Sequence, residues 1–352
     1  MFVLAIFGLI ITFYLLAIIC DGYFVESLDI ISGKLRLNSE VAGATLMAMG
    51  SSAPELFTSL IAVFSPGGLA DIGAGTIVGS AIFNLLVIIG ASAMVASTKL
   101  TWQPILRDLL FYCIAIIAMI RMFWDGQIIL HEALILLTLY AVYIFAVLNW
   151  SKWFGYYVDD SIEVLEENIQ PKQGLNKYIL NLLDPIMYLG KQSKHSAYIT
   201  FTFSIIFIGL LSYIMVESAV IVSHTFHIHP AIIALTVLAA GTSVPDLLSS
   251  LIVARQGRGD MAVSNAVGSN VFDILFGLGL PWTLVLLFTS TDSITVSSEN
   301  LLSSAFLLFA TVVALFALLI MRRWHIGRPA GLMLIILYIG YVLYQIGQIL
   351  QL

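Results

Sequence analysis

The sequence predicts an all-α integral membrane protein of ten transmembrane helices, arranged as two inverted five-helix repeats, and three observations carry that prediction. Of 352 residues, 60% are hydrophobic and 10% charged, with a mean hydropathy of +1.01, well outside the composition of soluble globular domains. Ten stretches provide most of the roughly 20 apolar residues that one membrane crossing requires. A long segment also recurs once along the chain, displaced by 191 positions from Val25 to Val216.

The expected spans lie at about 2–20, 41–64, 72–97, 105–124, 129–150, 197–219, 229–254, 261–288, 300–321 and 328–350. No Lys or Arg precedes the first, so it lacks the basic flank of a signal peptide and reads as a retained helix. Glycine-containing stretches precede the third and eighth spans, and each supplies an acid, Asp71 and Asp260, expected to cap its helix. Cys20 and Cys113 fall in different spans with neither disulfide nor zinc spacing, which leaves packing as their role.

Short cytoplasmic loops hold the excess of basic residues. With both termini extracytoplasmic, that side receives Lys34, Arg36, Lys99, Arg107, Lys152, Lys172, Lys177, Lys191, Lys194, Arg255, Arg258, Arg322, Arg323 and Arg328, leaving only Arg121 of the 15 outside. The alternation implies residues 1–150 as a first five-helix half, a polar cytoplasmic linker at 151–196 and residues 197–352 as a second half. The linker is too short for an ordinary regulatory domain. The net charge of −6 comes with no clustered basic patch, which excludes a nucleic-acid partner.

The repeat pairs VESLDIIS (25–32) with VESAVIVS (216–223), ATLMAMGSSAPE (44–55) with LTVLAAGTSVPD (235–246), and DIGAGTIVGSAIFN (71–84) with DMAVSNAVGSNVFD (260–273). Its cores are about 41–97 and 229–288. Five spans, an odd number, separate equivalent points, so the second copy crosses the membrane upside down. Inverted repeats of this kind place a substrate site at the midplane, where the halves meet.

Within the second and seventh spans, GSSAPE (50–55) and GTSVPD (241–246) set a proline immediately before an acid. Proline removes a backbone hydrogen bond and frees a carbonyl one turn earlier, which is tolerated at membrane depth only inside protein or facing water. Residues four apart share a helix face, and Glu55 with Ser59, Asp246 with Ser250, Ser80 with Asn84, and Ser269 with Asp273 obey that spacing. An acid in the bilayer interior is costly, and no Lys or Arg lies within these four helices to neutralise Glu55, Asp246 or Asp273. Bound cations are the expected counter-charge, and an all-oxygen donor set suits Ca2+. Zinc or copper would call for His or Cys. The His224, His227 and His229 cluster is expected in a solvated external loop, and Glu26 and Glu217 near the mouths.

At these residues the sequence resembles the sodium/calcium exchangers of the cation/Ca2+ exchanger superfamily, and GSSAPELFTSLI (50–61), GTIVGSAIFNLL (75–86) and VARQGRGDMAVSNAVGSNVFDIL (253–275) resemble its potassium-dependent branch. The resemblance implies Glu55 and Asp246 as the principal Ca2+ ligands, shared with Na+. It implies Ser51, Ser52, Thr242, Ser243, Ser80 and Ser269 lining flanking Na+ sites, and the backbone carbonyls of Ala48 and Ala239 as further ligands. Asn84 and Asp273 match the central pair, with an acid at Asp273 accompanying K+ dependence. Leu247 departs from the hydroxyl residue the family often carries there. The implied activity is Na+/Ca2+ antiport with K+ co-transport across the plasma or inner membrane, without catalytic residues or a bound cofactor. A Ca2+/H+ antiporter, a K+-independent exchanger and a cation channel are the alternatives.

Overall fold

The computed structural model describes residues 2–34, 48–65, 69–155, 183–185, 196–255, 257, 259–296 and 298–350. Most of the expected linker and the opening of the second span lie outside the described residues. In hydrocarbon every backbone N–H and C=O must be bonded within the protein, and the apolar stretches accordingly fold as helices. Helix α1 (Phe2–Ile19) runs through a π turn at Cys20–Phe24 into α2 (Val25–Lys34). Helices α3 (Ala48–Ser51) and α4 (Ala53–Phe64) are followed by α5 (Ala70–Phe83), a π turn at Asn84–Ile88 and α6 (Ile89–Val95). Helices α7 (Trp102–Phe123) and α8 (Leu130–Phe154) end the described part of the first half.

The second half repeats this order with α9 (Ser196–Phe226), α10 (Pro230–Ile233), a π turn at Ala234–Leu238, α11 (Ala239–Thr242) and α12 (Val244–Arg255). It continues with α13 (Gly259–Phe272), a π turn at Asp273–Leu278, α14 (Gly279–Phe288), α15 (Ser298–Met321) and α16 (Arg328–Leu350).

Among the described residues, seven helical stretches are long and apolar enough to cross a membrane: Val3–Phe24, Ala70–Val95, Leu130–Trp150, Ala197–Phe226, Met261–Phe288, Leu301–Met321 and Arg328–Gly347. The other three expected spans differ for physical reasons. Helix α7 has 22 residues but carries Arg107, Asp108 and Arg121, and 41–64 and 229–254 are each broken into shorter pieces at their proline motifs.

Several sequence expectations are corrected. Arg107 is a buried helix residue, not a loop residue; its Nε lies 2.8 Å from Asp108 Oδ1, and Tyr143 donates to the same oxygen at 3.0 Å. The sixth span extends through the last turn of α9, so His224 is helical and His229 caps α10 by accepting Ala231 N–H at Nδ1 (3.2 Å). Asp71 sits inside the first turn of α5, with Leu69 at the cap position, and Asp260 is the second residue of α13. Asp71 there meets the positive end of the helix dipole.

Helix α5 is buried nearly all round, whereas most of α16 faces outward through Leu332, Met333, Ile336, Leu337, Ile339 and Leu343. In an aqueous protein such an apolar surface would be anomalous; against lipid tails it is the expected exterior. Two apolar clusters divide the interior. The smaller gathers α1, α9 and parts of the broken helices through Leu16, Tyr23, Ile208, Met215 and Leu238, and the larger gathers most other helices around α5. Two short antiparallel ribbons join loops of the halves: β1 (Thr98–Lys99) with β4 (His325–Ile326), and β2 (Gln127–Ile128) with β3 (Ile294–Thr295).

The centre is packed tightly by small residues. A Cβ on Gly75 would stand 2.9 Å from Ala234 Cβ, and one on Gly79 would overlap the Leu235 carbonyl oxygen. The two glycines, four apart, let α5 lie directly on the backbone of the 234–239 segment, a small-residue helix contact of the kind membranes favour.

Candidate functional site

The two proline motifs break their helices in the same way. α3 ends at Ser51, Ser52 takes φ −91°, ψ 11°, and α4 starts with Pro54 in its first turn. α11 ends at Thr242, Ser243 takes φ −86°, ψ 2°, and α12 starts with Pro245 in its first turn. Every boundary of the second break lies 191 residues after the first. Proline is compatible with a first turn, where its missing N–H would be unbonded anyway. The acids Glu55 and Asp246 therefore fall in the first turns of new helices, where the helix dipole stabilises negative charge.

A second pair of irregularities faces them. α5 and α13 both turn into π geometry at the matched residues Asn84 and Asp273. Such π turns concentrate at functional sites because they re-aim side chains and loosen backbone pairing.

The structure buries the expected residues together. Ser52, Glu55, Ser59, Ser80, Asn84, Thr242, Ser243, Asp246, Ser250, Ser269 and Asp273 are all at most 2% exposed, and Ser51 is half-buried. The three carboxylates lie within electrostatic reach of one another, Asp246 acting on Glu55 and both acting on Asp273. Polar contacts cross between the halves: Ser243 Oγ donates to Glu55 Oε1 (3.3 Å), Ser51 and Ser269 hydroxyls share a 3.3 Å contact, and Ser80 Oγ makes a long 3.5 Å bond to Asp273 Oδ2. Ser51 lies near Asp246, and Ser52 lies near Asp273 although its Oγ makes no hydrogen bond.

Glu55 Oε2, Asp273 Oδ1 and Asn84 Oδ1 are buried without a hydrogen-bond partner. Buried polar atoms are normally bonded, and a cluster of orphaned oxygens around mutually repelling carboxylates has the chemistry of a hard-cation cradle. Among the described residues no three His, Cys, Asp or Glu side chains already close around a metal ion, so the acids share the cluster with hydroxyl and amide oxygens.

The carbonyl ligands implied by the resemblance are placed differently from each other. Ala48 opens α3, whereas the Ala239 carbonyl already accepts Ser243 N–H and Thr242 Oγ1, each at 3.3 Å. Thr58 and Thr76 are buried nearby, but their hydroxyls bond Pro54 and Ile72 carbonyls within their own helices. Glu26 and Glu217 are exposed and stand apart from the cluster.

Two residues escaped the sequence reading. Asn270 accepts Asn84 Nδ2 at 2.9 Å and donates to the Ala81 carbonyl (3.1 Å) and the Tyr112 hydroxyl (3.0 Å). Asn270 left a usable signal, since it stands opposite Ala81 in an otherwise well-matched repeat. Tyr112, fully buried on α7, left none, because its contact joins elements far apart in the chain.

Residues 5–149 and 196–347 match the family model for the sodium/calcium exchanger protein. The chain belongs to the sodium/calcium exchanger family, and its relatives place it in the sodium/potassium/calcium exchanger branch. It is 33% identical to sodium/potassium/calcium exchanger 5 of Homo sapiens, over 95% of this chain and 82% of that protein. It is 30% identical to sodium/potassium/calcium exchanger 4 of Mus musculus, over 97% of this chain and 81% of that protein. The fold is shared with the H+/Ca2+ exchanger CAX (TM-score 0.72, 14% identity, 96% of this chain and 82% of that one). It is also shared with the sodium-calcium exchanger NCX_Mj (TM-score 0.59, 23% identity, 97% and 99%).

Proposed function

We propose that this protein is a secondary antiporter that exchanges Na+ for Ca2+, with K+ co-transported, by alternating access around a midplane carboxylate site. The observation that carries the reading is the pair of identical helix breaks, 191 residues apart, which bury Glu55 and Asp246 at half-helix N-termini within reach of Asp273. No Lys or Arg lies in α3–α6, α13 or α14, and Arg255 ends α12. Up to three negative charges at this depth call for mobile cations.

In this reading the chain crosses the membrane ten times as two inverted five-helix halves, 1–150 and 197–352, joined by the cytoplasmic linker 151–196. Both termini are extracytoplasmic, and the plasma or inner membrane houses the protein. Glu55 and Asp246 bind Ca2+ directly and alternate with Na+. Ser51, Ser52, Thr242, Ser243, Ser80 and Ser269 complete the flanking Na+ positions, with carbonyls from Ala48 and Ala239. For Ala239 this requires the ion to displace one of two long hydrogen bonds. Asn84 and Asp273 form the central pair, and the unmatched acid supplies the charge that K+ balances.

Sharing of carboxylates gives exchange: ions of one kind must leave before the other can enter, and a loaded site permits the switch between outward-open and inward-open states. Helices α1 and α9 are, in this reading, the part that slides across the larger body; their apolar cluster meets it through Ala53, Ala62, Ile72 and Leu238. Purified protein in liposomes should take up Ca2+ when Na+ is loaded inside, with K+ stimulating the flux. Uptake that ignores Na+ and follows a proton gradient instead would replace this reading with Ca2+/H+ antiport.

A further inference from the structure

A side-chain amide presents two unlike ends, an oxygen that attracts a cation and an NH2 that repels one. A carboxylate presents two oxygens. The central pair of the site, Asn84 and Asp273, therefore has an orientation problem on one side only. Asp273 can turn either end to an ion, whereas Asn84 serves as a ligand only with its NH2 directed elsewhere.

The hydrogen bonds around Asn270 settle which end goes where. The Ala81 carbonyl can only accept, so the Asn270 atom 3.1 Å from it must be the NH2 nitrogen. That nitrogen's second hydrogen reaches the Tyr112 hydroxyl at 3.0 Å. The Asn270 oxygen is left facing Asn84, 2.9 Å away, and an oxygen can be met there only by the Asn84 NH2. Asn84 Oδ1 is thereby turned the other way, and it is buried with no hydrogen-bond partner. A backbone carbonyl thus dictates the orientation of Asn84 through one intermediate amide.

We propose that Asn270, held by the Ala81 carbonyl and the Tyr112 hydroxyl, is a positioning residue that turns the Asn84 carbonyl oxygen toward the transported cation. The proposal rests on the reading of Asn84 as a site residue. The repeat gives it a reason: Asn270 is the counterpart of Ala81, so the orienting amide exists in one half alone, beside the neutral member of the pair that needs it. Under the repeat, the position that would face Asp273 is Ala81 of the other half, and a carboxylate needs no such device. Tyr112 is fully buried and near enough to Asp273 to interact electrostatically, which ties the support to the same centre.

The test is Ca2+ transport by reconstituted full-length variants, with half-saturating Ca2+ and maximal rate measured separately and folding checked by thermal unfolding. Asn270→Val should raise half-saturating Ca2+ about ten-fold, the loss of one buried polar contact, with the maximal rate per folded transporter kept. Adding Asn84→Asp to Asn270→Val should bring half-saturation back down, because a carboxylate cannot be misoriented. A merely structural lesion would not be rescued in this way. Tyr112→Phe should raise half-saturating Ca2+ by about three-fold in the native background and add nothing to Asn270→Val. Tyr143→Phe, which touches Asp108 instead, should leave half-saturation unchanged.

If Asn84→Ala raises half-saturating Ca2+ while Asn270→Val and Tyr112→Phe do not, the orienting role is overturned and the site reading survives. If Asn84→Ala also has no effect, the assignment of Asn84 to the site falls, and this proposal falls with it.

Discussion

The two halves of this protein match where backbone is broken and differ where charge and packing are decided. Both carry a proline-led restart with an acid in its first turn, and both pass into π geometry at the central position. One half then has Asn84 preceded by Ala81, and the other has Asp273 preceded by Asn270. The first half also has Gly75 and Gly79 pressed on the opposing backbone, whereas the counterparts are Ser264 and Gly268, and a Cβ at Gly268 would meet only the Tyr143 hydroxyl at 3.9 Å. The matched features bury Glu55, Asp246 and Asp273 together, and in the proposed function the mismatched ones set the ion preference.

The matched features should be the most sensitive. Glu55→Gln and Asp246→Asn should each cut Na+-dependent Ca2+ flux in proteoliposomes by roughly 100-fold or more, the scale of removing one charged partner from a buried cluster. A variant at either acid that retains near-native flux would end the symmetric view of the pair. Asp273→Asn makes the central pair uniform, and K+ stimulation of transport should vanish while Na+-dependent Ca2+ uptake persists; an unchanged K+ response would take Asp273 out of that role.

Packing offers a smaller contrast. Gly79→Ala forces a methyl into the Leu235 carbonyl and should lower stability by about 1–3 kcal/mol, read as an earlier unfolding transition in detergent. Gly268→Ala has room, gains helix propensity and should leave that transition in place or raise it. Equal effects at both positions would erase the packing asymmetry. A small loss is expected at Tyr143→Phe, which removes one hydrogen bond from the buried Arg107–Asp108 pair and should cost about 1 kcal/mol.

Much of the architecture was legible because hydrophobic length and repetition are local properties of a chain. The break at Ser52 could be anticipated from GSSAPE, and its twin at Ser243 from GTSVPD, since proline acts on its own helix. Arg107 misled the reading because a loop and a helix end look alike when a basic residue has an acid neighbour. Only the folded chain shows that Asp108 and Tyr143 bury the pair. The cap expected at Asp71 missed by two residues, since helix starts depend on how far the preceding chain can extend.

The sequence by itself determined that this protein lives in a bilayer, that its halves repeat, and that Glu55, Asp246 and Asp273 lie in otherwise apolar surroundings. Those follow from composition and spacing, which need no knowledge of neighbours in space. Tertiary structure alone decided which polar atoms meet. Ser243 reaches Glu55 across 188 positions and Asn84 reaches Asn270 across 186, contacts created by packing α5 and α13 against the broken helices. Hydrogen bonds have direction and short range, so the partner of a buried amide, and the end of Asn84 left to face an ion, exist only once the halves have closed on each other.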